Sequence, residues 1–370
     1  MHLEERIHSP GPKKLLALDG GGIRGIMTVE ILAGIERMLR EREQKSALVL
    51  SDFFDFFAGT STGAIIATCL SMGMSTDQIR EFYVGSGREM FDKAFLLRRF
   101  QYKYEDEKLA GRLREVFGGD TTLGSDRLKT VLMMVMRNAT TDSPWPLSNN
   151  PYAKYNDPSR RDCNLNLPLW QLVRASTAAP VYFPPEVINI GDRAHIFVDG
   201  GVTVYNNPAF QQFLMATVEP YNIGWPAGEE QMLLVSIGTG TSPEANLNLD
   251  PSSMNLMYNA TSLPSALMFA ALNEQDFLCR VFGKCVAGDM LDREVGDMIG
   301  KKGPVSPKLF TYARYNAELT YDGLAALGLT SIKPEDVQKL DSVEHIGELQ
   351  EVGKAVAEQK VKAEHFAVFL

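Results

Sequence analysis

Gly59-Thr60-Ser61-Thr62-Gly63 lies between an apolar run at residues 53–58 and a helix-like run at residues 64–72. A G-x-S-x-G pentapeptide between a strand and a helix reads as a nucleophile elbow, a sharp turn that lifts a serine hydroxyl clear of a sheet. Gly59 and Gly63 permit the strained turn, and the helix that follows directs its N-terminal N–H groups toward the reacting oxygen. Ser61 is the candidate nucleophile, with Thr60 and Thr62 completing the elbow.

Upstream of the elbow, residues 14–19 form a short apolar strand that ends in a glycine run. Residues 26–40 then place Ile26, Val29, Leu32, Ile35 and Leu39 at spacings of three and four, the pattern of an amphipathic helix. With residues 53–58 as the next strand, the order strand, helix, strand, helix predicts an α/β fold with a mainly parallel sheet. Downstream, residues 131–136, 196–198 and 232–237 read as strands, residues 144–158 as a loop, and residues 167–177 as a helix ended by Pro180. Residues 265–282 show helical spacing, and residues 343–362 read as a helix capped by Asp341 or Ser342. Neither a repeat nor a linker divides the chain. The expected organisation is one domain over residues 12–310, with a helical C-terminal extension at 311–370 packed on it.

The composition of these 370 residues, 45% hydrophobic and 22% charged, is that of a soluble globular protein and excludes disorder or fibre. A net charge of -9 argues against a nucleic-acid partner, which needs a basic face. The polar start, Met1-His2-Leu3-Glu4-Glu5-Arg6, lacks a secretory signal, so a cytoplasmic location is expected. Asp55, Gly59 and Ser61 interrupt the best apolar window, short of the roughly 18 to 20 residues of a membrane span, so membrane contact is expected to be peripheral. Residues 95–104 mix aromatics with cations and read as an exposed loop or a lipid-interface segment. Cys69, Cys163, Cys279 and Cys285 read as reduced thiols, and the five histidines do not cluster with cysteine, so no metal is expected.

Gly20-Gly21-Gly22-Ile23-Arg24-Gly25 satisfies G-x-G-x-x-G after a strand and before a helix, with Glu41 and Glu43 about twenty residues on. A dinucleotide loop is one reading, which would make the protein a nucleotide-dependent oxidoreductase. Asp19 at the head of the loop would face a pyrophosphate and argues against it. Successive N–H groups of Gly21 and Gly22 aimed at a developing oxyanion are the better fit. The serine needs a base, and His195 reads as a surface or strand-edge residue, so a Ser/His/Asp triad is not indicated. Asp199, after apolar Ile196-Phe197-Val198 and before Gly200 and Gly201, is a carboxylate at a strand end. It reads as a base whose pKa partial desolvation would raise, or as a turn aspartate capping its own loop.

Together, the 19–25 glycine loop, the 59–63 elbow and Asp199-Gly200-Gly201 resemble the patatin-like phospholipase family. The likeness extends to Ala175-Ser176-Thr177-Ala178-Ala179-Pro180-Val181-Tyr182-Phe183, to Asn206-Asn207-Pro208 and to Ser236-Ile237-Gly238-Thr239-Gly240. Two departures are small: Ala64 stands where many members carry glycine, and Gly201 where others carry alanine. The resemblance implies a three-layer α/β/α patatin-like fold and a lipid acyl hydrolase with Ser61 as nucleophile, Asp199 as its partner and the 20–25 loop as oxyanion hole. It also implies acyl esters of membrane phospholipids or other lipids as substrates, and no calcium or other cofactor. Arg24 would orient the loop, meet a headgroup phosphate or make a structural salt bridge. Residues 263–272 are a candidate wall or lid for the acyl tails, with core packing the preferred assignment for most of those side chains. A permanently active lipase would damage its own membranes, so control by a partner, a small ligand or homo-oligomerisation is expected. A weakly active lipid-binding, storage or regulatory protein on the same scaffold is the alternative.

Overall fold

Lys-Lys-Leu-Leu-Ala-Leu at residues 13–18 is apolar on both faces after its first two positions, as a strand covered by helices on both sides requires. The structure, a computed structural model, describes residues 2–91, 102–180, 183–242 and 256–370. Among them, nine strands form one mixed sheet: β1 (Lys13–Leu18), β2 (Phe56–Thr60), β3 (Val131–Asn138), β4 (Ser143–Ser148), β5 (Glu186–Ile190), β6 (Arg193–Asp199), β7 (Met232–Ile237), β8 (Lys284–Ala287) and β9 (Thr311–Tyr315). The pairs β1–β2, β1–β7, β2–β3, β7–β9 and β8–β9 are parallel. The pairs β3–β4, β3–β6 and β5–β6 are antiparallel.

Side chains alternate across the sheet and build a core on each face. Leu15, Ala17, Phe56 and Val135 pack with Phe213 of helix Ala209–Thr217 and Cys279 of helix Leu256–Phe282. Leu16, Leu18 and Phe57 pack with residues of helices Gly25–Glu43, Thr62–Ser71 and Ile346–Lys360. The result is the expected three-layer α/β/α arrangement. Helix Ile346–Lys360 lies on Gly25–Glu43, and Glu30 joins the two by accepting from Gln350 Nε2 at 2.8 Å; it also accepts from Arg80 Nε and Nη2 of helix Thr76–Phe91 at 2.7 and 2.9 Å.

The strand pairings decide where the site forms. Along one edge of β3, residues 133–138 pair with β4. The opposite edge is shared: β2 takes residues 131–135 and β6 takes 136–138. Because β2 is parallel and β6 antiparallel to β3, their C-terminal ends meet head-on, Thr60 opposite Val135 and Asp199 opposite Met136.

Several sequence expectations shift. Residues 50–53 form a short helix, so β2 starts at Phe56, later than the apolar run suggested. The 144–158 stretch is not all loop, because β4 occupies its beginning. Pro144 and Pro146 lack an N–H to donate and sit on a strand bonded to β3, where the missing donors cost the sheet little. Residues 311–315, expected to begin a helical extension, are a β-strand buried between β7 and β8. The tail helix starts at Ile346 after a 3-10 turn, Val343–His345, later than capping by Asp341 or Ser342 would place it. Of the 95–104 segment, all but residues 102–104 lies outside the described residues.

A buried ion pair fixes the end of β1 against β9. Asp19 accepts from Arg314 Nη1 at 2.9 Å and Nη2 at 2.5 Å, and Arg314 Nη1 also donates to Ser236 Oγ at 2.7 Å. Burial alone would lower Arg314, but the Asp19 carboxylate outweighs it and holds the guanidinium above its ordinary pKa. Arg314→Met strands a buried carboxylate and is expected to cost about 3 to 5 kcal/mol in urea denaturation. Asp19→Asn combined with Arg314→Met is expected to recover much of that loss, and strictly additive losses would contradict the pairing.

Candidate active site

Ser61 occupies a backbone conformation that non-glycine residues rarely adopt, φ 54° and ψ −123°, between β2 and helix Thr62–Ser71. The strain is held by packing: a Cβ on Gly59 would lie 2.1 Å from Gly63 O, and one on Gly63 2.3 Å from Leu18 O. Only glycine lets the turn close this tightly. The Ser61 N–H, left beyond the end of the β2 ladder, donates to Ser176 Oγ at 3.0 Å, and Ser176 Oγ donates to Val135 O at 2.6 Å. The Thr60 hydroxyl donates to Tyr205 O at 2.6 Å, and the Thr62 hydroxyl shares a hydrogen bond with Tyr83 OH.

Ser61 Oγ donates to Asp199 Oδ2 at 2.6 Å. The other carboxylate oxygen accepts from Gly201 N at 2.7 Å, so one oxygen is tethered and the other is turned to the serine. Gly200 threads beside β3, where a Cβ would fall 2.3 Å from Val135 O. Asp199 is 4% exposed, and burial pushes its carboxyl up to about 6 against the lowering effects of the Ser61 and Gly201 hydrogen bonds and the Arg174 charge. Its carboxylate does more than cap its own turn, because the same group also receives the serine hydroxyl.

The glycine loop lies against Ser61: a Cβ on Gly20 would stand 3.2 Å from Ser61 Cβ. Gly20 N donates to Asn206 O at 3.1 Å and Ile23 N to Leu340 O at 3.0 Å, Arg24 N donates to Gly21 O, and Gly25 N turns back into the loop. Among the described residues, the N–H groups of Gly21 and Gly22 meet no acceptor. Arg24 Nη1 donates to Gln338 O at 3.0 Å, so its contact is to a backbone carbonyl rather than a salt bridge. Burial lowers Arg24 to about 10, with Asp19 pulling the other way. Asp19, whose carboxylate at the head of the loop argued against a dinucleotide there, has both its oxygens taken by Arg314.

His195 lies on β6, where its Nδ1 meets Asn138 Nδ2 at 3.1 Å, and among the described residues no histidine bonds to Ser61 or Asp199. No group of three or more His, Cys, Asp or Glu among the described residues is placed to hold a metal, and no helix among them is long and apolar enough to cross a membrane. Ser176, within the 175–183 motif, has no role legible in the sequence. Its signal was a small hydroxyl in an otherwise alanine-rich stretch, but the work it does depends on β3. Core packing does not describe helix Leu256–Phe282 near the site: Leu267 is 69% and Phe269 37% exposed, and Met268 Cε comes 3.7 Å from a Cβ placed on Gly201.

Comparisons with known proteins bear on the family of the chain. A family model described as patatin-like phospholipase matches residues 16–212. Patatin-like protein 4 of Arabidopsis thaliana is 31% identical over 62% of this chain and 59% of its own length. The cGAMP-activated phospholipase of Vibrio cholerae is 28% identical over 55% of this chain and 57% of its own length. The mouse 85/88 kDa calcium-independent phospholipase A2 is 30% identical over 66% of this chain and 29% of its own length. The chain belongs to the patatin-like phospholipase family. It spans under two thirds of the length of these relatives.

Asp199 has a folded-state pKa above the value of about 3.9 expected in an unfolded chain. Its contribution to stability is therefore fully present below about pH 4 and is lost as pH rises through about 6. Asp199→Asn removes that loss. The variant is expected to be more stable than the unaltered protein by about 3 kcal/mol near pH 7.5, and by little near pH 4. Urea denaturation at both pH values checks this; a gain independent of pH would count against a desolvated carboxyl.

Proposed function

We propose that the protein is a lipid acyl hydrolase of phospholipase A or lysophospholipase type, acting through a Ser61/Asp199 dyad without a metal or other cofactor. The observation that carries the proposal is the 2.6 Å bond from Ser61 Oγ, on a strained elbow, to a buried Asp199 oxygen. Ser61 Oγ attacks the ester carbonyl carbon as its proton passes to Asp199 Oδ2. The carbonyl electrons move onto oxygen, which the free N–H groups of Gly21 and Gly22 stabilise. Collapse of the tetrahedral intermediate breaks the ester C–O bond, and Asp199 returns the proton to the departing alcohol or lysolipid. Water then attacks the acyl-enzyme with Asp199 again accepting a proton, and collapse restores the Ser61 hydroxyl. A carboxylate with a pKa near 6 is a stronger base than an ordinary aspartate and is still ionised at neutral pH.

A lipid substrate is supported by the surface beside the dyad. Val202 and Val204, just after Asp199, are exposed together with Leu267 and Phe269, and residues 256–273 carry no charged side chain. An uncharged apolar rim at the mouth of a site suits peripheral, transient contact with a bilayer. The name of the Vibrio cholerae relative supports extending control by a small ligand to this chain as part of the same proposal.

Ser61→Ala and Asp199→Asn are each expected to abolish hydrolysis of a soluble short-chain ester while leaving circular dichroism unchanged. A fluorophosphonate probe is expected to label the unaltered protein at Ser61; folded protein that resists labelling would support a lipid binder instead. The kcat/KM profile is expected to fall tenfold per pH unit below an apparent pKa near 6, as Asp199 becomes protonated. Leu267→Asp combined with Phe269→Asp is expected to lower turnover of phospholipid in vesicles at least tenfold and to spare the soluble ester. Equal loss on both substrates would remove the rim from the proposal.

A further inference from the structure

Residues 338–341 cross the glycine loop as a strap. Leu340 O accepts the Ile23 N–H at 3.0 Å, and Gln338 O accepts Arg24 Nη1 at 3.0 Å. Gly22, at φ +60°, passes so close beneath that a Cβ would lie 2.3 Å from Leu340 O. The strap is moored at its start: Gln338 Nε2 donates to Leu319 O at 2.7 Å, and Leu319 N donates to Thr241 O at 2.8 Å, just beyond the turn that closes β7. These residues lie outside the 16–212 stretch matched by the family model.

Three consecutive amides, Gly21, Gly22 and Ile23, face the question of which donate to substrate. By consuming the third, the strap leaves the first two and pins the loop at Ile23 and Arg24, immediately after them. An oxyanion hole works only when its donors are held in place before charge develops, since donors that must reorganise lose their advantage over water. We infer that Gln338 is a positioning residue: its side chain moors the strap, and the strap sets the placement of the Gly21 and Gly22 donors. This inference rests on the hydrolase reading given above.

Gln338→Met keeps the length and packing of the side chain but removes its donor, and Gln338→Ala removes both. Each is expected to lower kcat on a soluble short-chain ester about tenfold with KM unchanged, less than the hundred- to thousandfold loss of a whole oxyanion donor. Fluorophosphonate labelling of Ser61 should slow by the same factor. Amide exchange at Ile23, read by NMR or mass spectrometry, should quicken in both variants as the Leu340 contact loosens. Faster Ile23 exchange with unchanged kcat would mean that the strap holds the loop without setting the hole, and would overturn the inference. Unchanged exchange, or a lowered melting temperature with full kcat per folded molecule, would overturn it equally. Unaltered protein that neither turns over ester nor takes the label would sink the hydrolase reading itself, and this inference with it.

Discussion

One edge of β3 is shared by two strands that point at each other, and the site exists because of it. β2 ends opposite Val135 and β6 ends opposite Met136, so Ser61 and Asp199 leave their strands one residue apart along the same ladder. Two short side chains are then enough to close a 2.6 Å bond. The same abutment leaves no ladder partner for the Ser61 N–H, and a buried amide without an acceptor is costly. Ser176 meets that need, accepting from Ser61 and donating to Val135 O. The tight passage of Gly200 beside Val135 and the Ser176 bridge follow from this shared edge, whereas the tight passages at Gly59 and Gly63 lie within the elbow and against the end of β1.

The two aspartates at strand ends are both buried, and burial pushes both carboxyls up, but the sheet gives them different partners. Asp19 is neutralised by a bidentate guanidinium from β9, which makes it a structural anchor. Asp199 is buried with a hydroxyl and one amide as its hydrogen-bond partners, and burial dominates, raising its pKa into the range where a carboxylate can take a proton near neutral pH. Asp199, and not an imidazole, meets the Ser61 hydroxyl, while His195, four residues earlier on β6, bonds Asn138 instead. The contrast follows from which neighbour the sheet supplies, a cation at one strand end and a hydroxyl at the other.

The C-terminal region is built into this arrangement. β9 supplies Arg314, helix Ile346–Lys360 lies on the helix that follows the glycine loop, and residues 338–341 hold the loop itself. A segment that reads as an appendage therefore touches both the charge balance and the backbone donors of the site.

Much of this could be read from local chemistry. Residues 232–237 matched β7 at both ends, and the glycine loop, the elbow and Asp199 stood out because each needs particular small or acidic residues in a fixed short order. β4 was hidden because two prolines look like a loop until a partner strand is present, and the onset of β2 was obscured because a short helix and a strand can share one apolar run. Local order and spacing thus determined the α/β alternation and which residues are the candidates for the site. Only the tertiary structure decided that Ser61 and Asp199, 138 positions apart, share a hydrogen bond, that Arg314 satisfies Asp19, and that Ser176 and Leu340 supply acceptors to the loops. The reason is physical: period and turn chemistry act over a few residues, whereas strand pairing and the burial that shifts a pKa arise from segments far apart in the chain.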